Sequence, residues 1–373
     1  MKKSKNPFTE SQNLRVLVAP LDWGLGHSTR CIPIIKELKT QGCEVYIVAD
    51  KKCYSLLNKE FPQTVFLRYK GYQVEYSRRQ QFFTSKLIIQ IPRIFFRILQ
   101  EKKWIKKIIK KYEINAIISD NRFGMHNKNV PCVYITHQLY IKTGNQFIER
   151  IAQKIHYYFI KKYKVCWVPD LKKNGLAGEL SHPKKLPANI IYIGPLSRFC
   201  KIASAEETYD LLVIISGPEP QRTIFENEIL QQLKTVQGTI FLIRGLPDQN
   251  SKPENFNNVT IENHLNAKQL NEIIEKSKAV LCRSGYTSVM DLSVLQKKAI
   301  FIPTPAQTEQ EYLSKFLTEK AYFFSMEQKD FSITKALDLS ANYHFNIPNI
   351  HANQYKKTVQ EFVLFLKSEG DHN

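Results

Sequence analysis

The sequence has no uninterrupted apolar run of 18 residues, the length that a membrane-spanning helix needs. Residues 1–15 contain no apolar segment ahead of the first predicted strand, so we expect no secretory signal. The seven cysteines are an odd number without Cys-x-x-Cys spacing, which predicts reduced core thiols and argues against a disulfide framework or a zinc site. These absences together predict a cytoplasmic protein.

Acidic residues are scarce: 34 Asp and Glu stand against 54 Lys and Arg, which leaves a net charge of +20. Such an excess favours acidic partners, namely nucleic acid, anionic lipid or a phosphorylated substrate. The positive charge is dispersed and no nucleic-acid-binding motif is visible, so we expect no nucleic acid partner. The length of 373 residues and the hydrophobic content of 43% are typical of a globular protein with room for two domains.

Strand and helix patterns alternate through both halves of the chain, which predicts an α/β fold of two Rossmann-like domains that face a cleft. We place the first domain at residues 1–195, a polar linker at 196–209 and the second domain at 210–350. An edge strand of the second domain is predicted at residues 321–324, and a C-terminal helix within 351–373 is expected to pack back towards the first domain. Ligand sites in such folds lie outside the carboxyl ends of the strands.

Residues 279–311 carry the most informative pattern, which predicts a strand, a tight turn at Ser284-Gly285, a helix, a second strand and a Pro-bounded loop. Small residues at a helix N-terminus present free backbone N–H groups and the positive end of the helix dipole to a phosphate. Asp291, about one helical turn further on, can accept hydrogen bonds from a sugar diol. The stretch therefore predicts a nucleotide-diphosphate site.

The loop after the first predicted strand holds Gly24, Gly26 and His27. Glycines let a backbone turn sharply and approach a ligand, but the third glycine of a dinucleotide-binding fingerprint is absent, because position 29 is Thr. His27 at a βα junction is a candidate catalyst. Asp120 follows another strand and belongs to the same rim; it can orient His27, contact an acceptor or cap a helix, and these roles stay open.

The pattern Arg-Ser-Gly-x-x-[Ser/Thr]-x-x-[Asp/Glu] at residues 283–291, a strand that ends in Pro, and a following polar loop resemble glycosyltransferase family 28. The Gly-x-Gly-His pattern at residues 24–27 matches the same family. The resemblance implies a GT-B fold and inverting transfer of a sugar, N-acetylglucosamine or another hexose, from a UDP-sugar to an acceptor hydroxyl. It also implies that His27 is a general base, that Asp291 holds the ribose and that Gln310 or Glu311 faces the donor sugar.

The resemblance extends to a full set of site residues. The expected donor contacts are Ser216, Gly217, Arg222, His264, Leu265, Arg283, Ser284, Gly285, Thr287, Asp291, Gln310 and Glu311. The expected acceptor contacts are Gly24, Gly26, His137 and Gln138, with His27 and Asp120 as the catalytic pair. No metal or cofactor is expected, because the sequence lacks an Asp-x-Asp pair and any His, Cys and carboxylate cluster at ligand spacing. The charge of the leaving group would be met by backbone N–H groups and by Arg222 or Arg283.

Residues 82–112 predict a long basic amphipathic helix with a kink at Pro92. One interpretation is a helix packed on its sheet with a solvated basic face. The other is that Phe95, Phe96, Trp104 and the lysines touch an anionic membrane surface, as an enzyme with a lipid-linked acceptor would need. In that case the protein is peripheral on the inner face of the membrane.

Two other functions stay open at this point. The wider Gly-x-Gly-His-x-x-Arg-Cys form at residues 24–31 also resembles nucleotide-sugar hydrolases, in which the histidine helps water to attack. The third interpretation is a non-catalytic subunit that binds a UDP-sugar without turning it over. Transfer and hydrolysis use the same donor site, so the donor motif alone does not separate them.

Overall fold

The computed structural model describes residues 13–72, 89–203 and 206–370. Within these ranges the first half of the chain builds one parallel sheet. Its strands are β1 (Arg15–Pro20), β2 (Glu44–Val48), β3 (Val65–Leu67), β4 (Ala116–Asp120), β5 (Cys132–Ile135), β6 (Val165–Val168) and β7 (Ile190–Tyr192). The strand order is β3-β2-β1-β4-β5-β6-β7, so the order reverses between β1 and β4. Pro20 lies opposite Asp120 in the β1–β4 register, which sets Asp120 beside the loop that follows β1.

The second half builds another parallel sheet. Its strands are β8 (Tyr209–Ile214), β9 (Ile240–Ile243), β10 (Val259–Glu262), β11 (Ser277–Cys282), β12 (Ala299–Phe301) and β13 (Phe324–Ser325). The order β10-β9-β8-β11-β12-β13 again reverses next to the first strand, between β8 and β11. The predicted α/β fold of two Rossmann-like sheets is confirmed.

Helices connect the strands of both sheets. They are α1 (Leu25–Thr40), α2 (Lys51–Glu60), α3 (Ile91–Tyr112), α4 (Gln146–Ile160), α5 (Gln221–Gln232), α6 (Ala267–Glu275), α7 (Tyr286–Leu295), α8 (Thr308–Glu319), α9 (Ile333–Ala341) and α10 (Gln354–Gly370). Helices α1, α2 and α10 join one apolar core of the first sheet, whereas α3 and α4 cover its opposite face. None of the described helices is long and apolar enough to span a bilayer.

Helix α10 returns from the second half of the chain to the first sheet. Its Phe362 ring meets Trp167 of β6 edge-on at 5.6 Å, and Lys164 lies 3.5 Å above the Phe365 ring. Helix α10 also contacts α1, where Gln360 reaches the carboxylate of Glu37. The last helix therefore ties the two halves together on the side away from α3 and α4.

Two local predictions need comment. The strand predicted at residues 321–324 is wrong over its first three residues: Ala321 has a φ of 57°, a left-handed conformation in the turn after α8, so pairing begins only at Phe324. Helix α3 begins at Ile91, which puts Pro92 in the first turn. The N–H groups of that turn have no partner within a helix, so the N–H that proline lacks costs no helical hydrogen bond. Residues 82–88 of the predicted amphipathic helix lie outside the described residues.

Candidate active site

The carboxyl ends of the two sheets face each other and touch. The hydroxyl of Thr287, in the first turn of α7, donates to the Gly26 carbonyl of the first sheet at 3.1 Å. Tyr286 donates its hydroxyl to the Pro169 carbonyl at 3.0 Å. The N-terminus of α7 therefore contacts the glycine loop that carries His27.

The structure brings the predicted catalytic pair together around a third residue. Nδ1 of His27 lies 3.3 Å from both carboxylate oxygens of Asp120. Arg30, one turn further along α1, donates from Nε to Asp120 at 2.7 Å, and its Nη2 contacts the other carboxylate oxygen. The same Nη2 lies 2.8 Å from Nδ1 of His27. Arg30 was not predicted as a site residue, although the spacing of three between His27 and Arg30 puts both on one helix face.

Burial and the neighbouring charges together determine the ionisation states of this cluster. Burial alone would raise the pKa of Asp120, but the neighbouring Arg30 and His27 outweigh it and bring the pKa down to about 2. Burial and the charge of Arg30 lower the pKa of His27, and Asp120 offsets only part of that effect. At neutral pH the site therefore holds an ionised Asp120–Arg30 pair beside an uncharged imidazole.

His137 links this cluster to the second sheet. Its Nδ1 lies 3.2 Å from Nη1 of Arg30 and its Nε2 lies 2.8 Å from the carboxylate of Glu309, at the start of α8. The His137 ring also stacks on Tyr286 with centroids 4.1 Å apart. Burial alone would raise the pKa of Glu309. The nearby His137, His27 and Arg30 have the opposite, larger effect, so the pKa of Glu309 is lowered. Gln138 is half-buried next to His137 and its backbone N–H donates to Thr136.

Glu309 is the acidic residue that sequence reasoning did not select. Gln310, which was selected, is buried: its side chain accepts from the Thr304 N–H at 2.9 Å and holds its own loop together. Glu311 accepts from the Ala306 N–H at 2.7 Å. It lines a cavity of about 420 Å³ between the two halves together with Tyr140, Lys142, Gly144, Gln146, Glu149, Glu179 and Thr308.

The turn at Ser284 and Gly285 of the second sheet leads into a helix, as predicted. Gly285 is the N-cap of α7, and the Ser284 hydroxyl donates to the Gln310 carbonyl at 3.0 Å, which joins this turn to the loop before α8. Asp291 is buried on α7 and accepts from the Ser197 hydroxyl at 2.6 Å. Burial raises the pKa of Asp291 to about 6, against the opposing effect of Arg198 and Ser197.

Arg283 and Arg222, which were predicted to meet the charge of the leaving group, both contact other residues of the second half of the chain. Arg283 is buried with its guanidinium 3.9 Å above the Phe225 ring, and its Nη1 donates to the carbonyls of Ile302 and Pro303 at 3.1 Å each. Burial lowers the pKa of Arg283 to about 9. Arg222 pairs with Glu219 and Glu226 at 2.6 and 2.9 Å. Donor binding through Arg222 would need this side chain to exchange existing partners, whereas Nε and Nη2 of Arg283 make no hydrogen bond among the described residues.

The remaining predicted donor residues lie on loops at the same edge. Ser216 and Gly217 lie in the loop that follows β8, and Gly217 has a φ of 110°, a backbone conformation that favours glycine. Leu265 packs partly buried against the apolar core, and His264 precedes it. Burial, with Lys59 and Arg198 nearby, lowers the pKa of His264 to about 4.

Comparison with known proteins places the chain among glycosyltransferases. The profile of the glycosyltransferase family 28 C-terminal domain matches residues 218–362. The UDP-N-acetylglucosamine–N-acetylmuramyl-(pentapeptide) pyrophosphoryl-undecaprenol N-acetylglucosamine transferase of Haemophilus ducreyi is 21% identical over 332 residues, 84% of this chain and 85% of its own. The enzyme of the same name from Glaesserella parasuis is 22% identical over 338 residues, 84% of this chain and 86% of its own.

Solved structures show the same architecture. The calicheamicin glycosyltransferase CalG4 superposes with a TM-score of 0.59 at 12% identity and covers 95% of both chains. MurG of Acinetobacter baumannii superposes with a TM-score of 0.51 at 12% identity, also over 95% of both chains. The solved structures show a GT-B fold, and the family profile with the curated relatives supports a glycosyltransferase. The second half of the chain carries a family 28 C-terminal domain, so the resemblance to that family is confirmed.

Proposed function

We propose that this enzyme is an inverting, metal-independent transferase that moves a hexose from a UDP-sugar to an acceptor hydroxyl. N-acetylglucosamine is the sugar we favour, because the curated relatives carry that sugar in their names. The observation that carries the proposal is the imidazole–carboxylate pair of His27 and Asp120, which lies directly beside Gly26, whose carbonyl accepts from Thr287 at the N-terminus of α7 across the cleft.

In the proposed reaction His27 accepts the proton of the acceptor hydroxyl, whose oxygen attacks the anomeric carbon of the donor. The bond from that carbon to the β-phosphate oxygen breaks, and UDP leaves with the electron pair. The turn at Ser284 and Gly285 binds the diphosphate through backbone N–H groups, and Asp291 accepts hydrogen bonds from the ribose. His27 is a better base than Asp120, because the His27 side chain is 19% exposed whereas the Asp120 carboxylate is fully buried and paired with Arg30.

The proposal is tested by measuring UDP release from a panel of UDP-sugars, with and without a membrane-lipid extract. We expect release only with the extract, and His27→Ala should lower the rate by about 10²- to 10⁴-fold. His344→Ala is the matched control, because His344 is exposed on the second half of the chain and should leave the rate unchanged. Fast release in plain buffer that is lost in His27→Ala would instead identify a hydrolase. Binding of a UDP-sugar without release would identify a non-catalytic subunit.

We also propose that the acceptor is lipid-linked and that α3 and α4 dock on an anionic membrane. Each helix contains one glutamate, Glu101 or Glu149, and both glutamates are buried. The solvent-exposed side chains on the outer faces of α3 and α4 are therefore mainly apolar and basic. This composition favours binding to an anionic bilayer surface. The exposed apolar side chains are Ile91, Phe95, Phe96 and Leu99 on α3 and Phe147, Ile151, Ile155 and Tyr158 on α4.

The two outer faces adjoin, because Phe159 of α4 packs in the same apolar cluster as Ile94 and Ile98 of α3. Trp104, which the sequence suggested as a membrane contact, instead packs at 4.6 Å against Tyr69 inside the molecule. The cavity lined by Gln146 and Lys142 opens at the N-terminus of α4, so an acceptor headgroup would enter the cleft next to the bilayer.

Co-sedimentation with vesicles tests this surface. We expect binding to phosphatidylglycerol vesicles but not to phosphatidylcholine vesicles, with a loss at high salt. The double variant Phe95→Ser/Phe147→Ser should release the protein, while Leu339→Ser, at another exposed apolar position, on α9, should not. Equal binding of both variants to anionic vesicles would contradict a role for α3 and α4.

A further inference from the structure

Arg30 is the most connected side chain of the cleft, and the proposed reaction gives it no part. Its guanidinium is almost fully buried and contacts Asp120, His27 and His137 at once. A guanidinium has N–H donors and no acceptor, so any imidazole nitrogen that it contacts must contribute a lone pair. Nδ1 of both histidines is therefore an acceptor in these contacts.

This constraint fixes the proton of His137. Because Nδ1 accepts from Arg30 at 3.2 Å, the neutral ring carries its proton on Nε2, and that N–H donates to Glu309 at 2.8 Å. The contacts of His137 on both sides are satisfied by one uncharged tautomer. The stacking of its ring on Tyr286 holds the ring in that orientation.

His27 has two competing partners at the same nitrogen. The 2.8 Å contact with Arg30 uses the Nδ1 lone pair, whereas the 3.3 Å contacts with Asp120 would need a proton on Nδ1. The shorter contact favours the tautomer protonated on Nε2 at rest. The tautomer that acts as a base carries its proton on Nδ1, bonded to Asp120. It forms by proton exchange with water when Nη2 of Arg30 releases Nδ1 and keeps its hydrogen bond to Asp120.

Without Arg30 the buried Asp120 carboxylate would face His27 with no other cation among the contacts it makes. The favourable partner for a buried carboxylate is then an imidazolium, which has no lone pair left to accept a proton. The titratable groups that face His27 are Arg30 from α1, Asp120 at the end of β4, His137 after β5 and Glu309 from α8. Arg30 is the permanent cation among them.

We propose that Arg30 is a positioning residue that neutralises Asp120 and thereby keeps His27 uncharged and available as a base. The mechanistic consequence rests on the proposed function of His27, but the ionisation state does not. Lysine would not replace Arg30, because one ammonium group cannot reach Asp120 in a bidentate manner and two imidazoles as well.

Nitrogen-15 NMR of histidine-labelled full-length protein tests the proposal without any substrate, with the His27 signal assigned through His27→Gln. In the wild type we expect an uncharged His27, protonated on Nε2, throughout pH 6 to 8. In Arg30→Gln the ring should be imidazolium at pH 7, and in Arg30→Gln/Asp120→Asn it should be uncharged again. The double variant also covers the case in which Arg30→Gln alone does not fold, because it leaves no unpaired buried charge.

Arg122→Gln is the matched control, because Arg122 is equally buried and pairs with Glu101 at 2.7 Å without contacting His27. This variant should titrate as the wild type does. An uncharged His27 at pH 7 in a folded Arg30→Gln variant would overturn the proposal, and so would a charged ring in the double variant.

The pH profile of kcat/KM supplies the functional half of the test. In Arg30→Gln the acidic limb should move up past neutral pH, so that activity falls several-fold at pH 6.5 relative to the wild type and largely recovers at pH 8.5. A uniform loss at all pH values would mean a structural role only and would contradict the proposal. If no variant and no wild-type protein releases UDP, while the NMR shifts appear as expected, the proposed function fails and the role of Arg30 stands.

Discussion

At the scale of single residues, Asp291 combines a buried carboxylate with a pKa near neutrality. It lies on α7, bonded to the Ser197 hydroxyl, and Arg198 is close enough to act on its charge. Because burial raises its pKa to about 6, the carboxylate is largely protonated at pH 5 and largely ionised at pH 7.5. The ionised form accepts charge-assisted hydrogen bonds from both ribose hydroxyls, whereas the protonated form uses one oxygen as a hydroxyl donor and accepts more weakly.

We therefore expect the affinity for an intact UDP-sugar to rise as the pH rises through 6, by roughly tenfold between pH 5 and pH 7.5. Titration calorimetry at a series of pH values measures this, and a UDP-sugar is the correct probe because its diphosphate does not titrate in that range. Asp291→Asn should bind more weakly and without pH dependence. A flat wild-type profile would show that Asp291 does not meet the ribose.

The sequence was sufficient to bring His27 and Asp120 to one rim, because both follow strands whose carboxyl ends lie side by side in a parallel sheet. It was not sufficient to assign Arg30, Tyr286 or Glu309. Which of several polar residues at the start of α8 turns to the cleft depends on where the helix begins, and that is set by packing against the other sheet. Contacts between distant elements leave no local periodic signal.

At the scale of elements, the strongly patterned segments were predicted well and the short ones were not. Strand β6 is a continuous apolar run and strand β10 alternates apolar with polar residues, and both patterns between polar turns are typical of strands. No element was predicted over α2 and β3, and none over α9. These are short segments whose stability comes from packing more than from their own sequence preferences, so the signal in the sequence is weak.

Helix α10 offers a clean test of how an element contributes to stability. Phe362 is 7% exposed and packs on Trp167, whereas Leu364, two residues on, is 63% exposed. We expect Phe362→Ala to reduce the free energy of unfolding by about 3 kcal/mol, because it leaves a cavity between α10 and the first sheet. Leu364→Ala should cost less than about 0.5 kcal/mol. Urea unfolding of both variants measures these losses of stability. Equal unfolding midpoints of the two variants would mean that α10 does not pack as described.

At the scale of the whole molecule, the two sheets are in contact at the place where substrates must lie. Thr287 bonds to Gly26, Tyr286 to Pro169 and His137 to Glu309. A donor bound at the turn of α7 and an acceptor beside His27 need space between these groups. The closed arrangement must therefore open for turnover, as in enzymes in which domain closure encloses the reaction.

A reversible cross-link tests that requirement directly. A Cβ atom placed on Gly26 would lie 3.8 Å from Cβ of Thr287, a separation that suits a disulfide. Gly26 has no left-handed backbone conformation, so a side chain is tolerated there without backbone strain. We expect Gly26→Cys/Thr287→Cys to cross-link under mild oxidation and to lose turnover of the UDP-sugar by more than tenfold, because the halves can no longer separate.

Reduction with dithiothreitol should restore the activity of the double variant, which separates locking from any effect of the substitutions themselves. The single variants Gly26→Cys and Thr287→Cys, treated in the same way, control for oxidation of Cys200, the exposed native cysteine. Full activity of the oxidised, cross-linked protein would mean that substrates reach His27 without separation of the two halves. The Gly26–Thr287 contact would then belong to the working form of the enzyme, and the acceptor would enter through the cavity beside α4 alone.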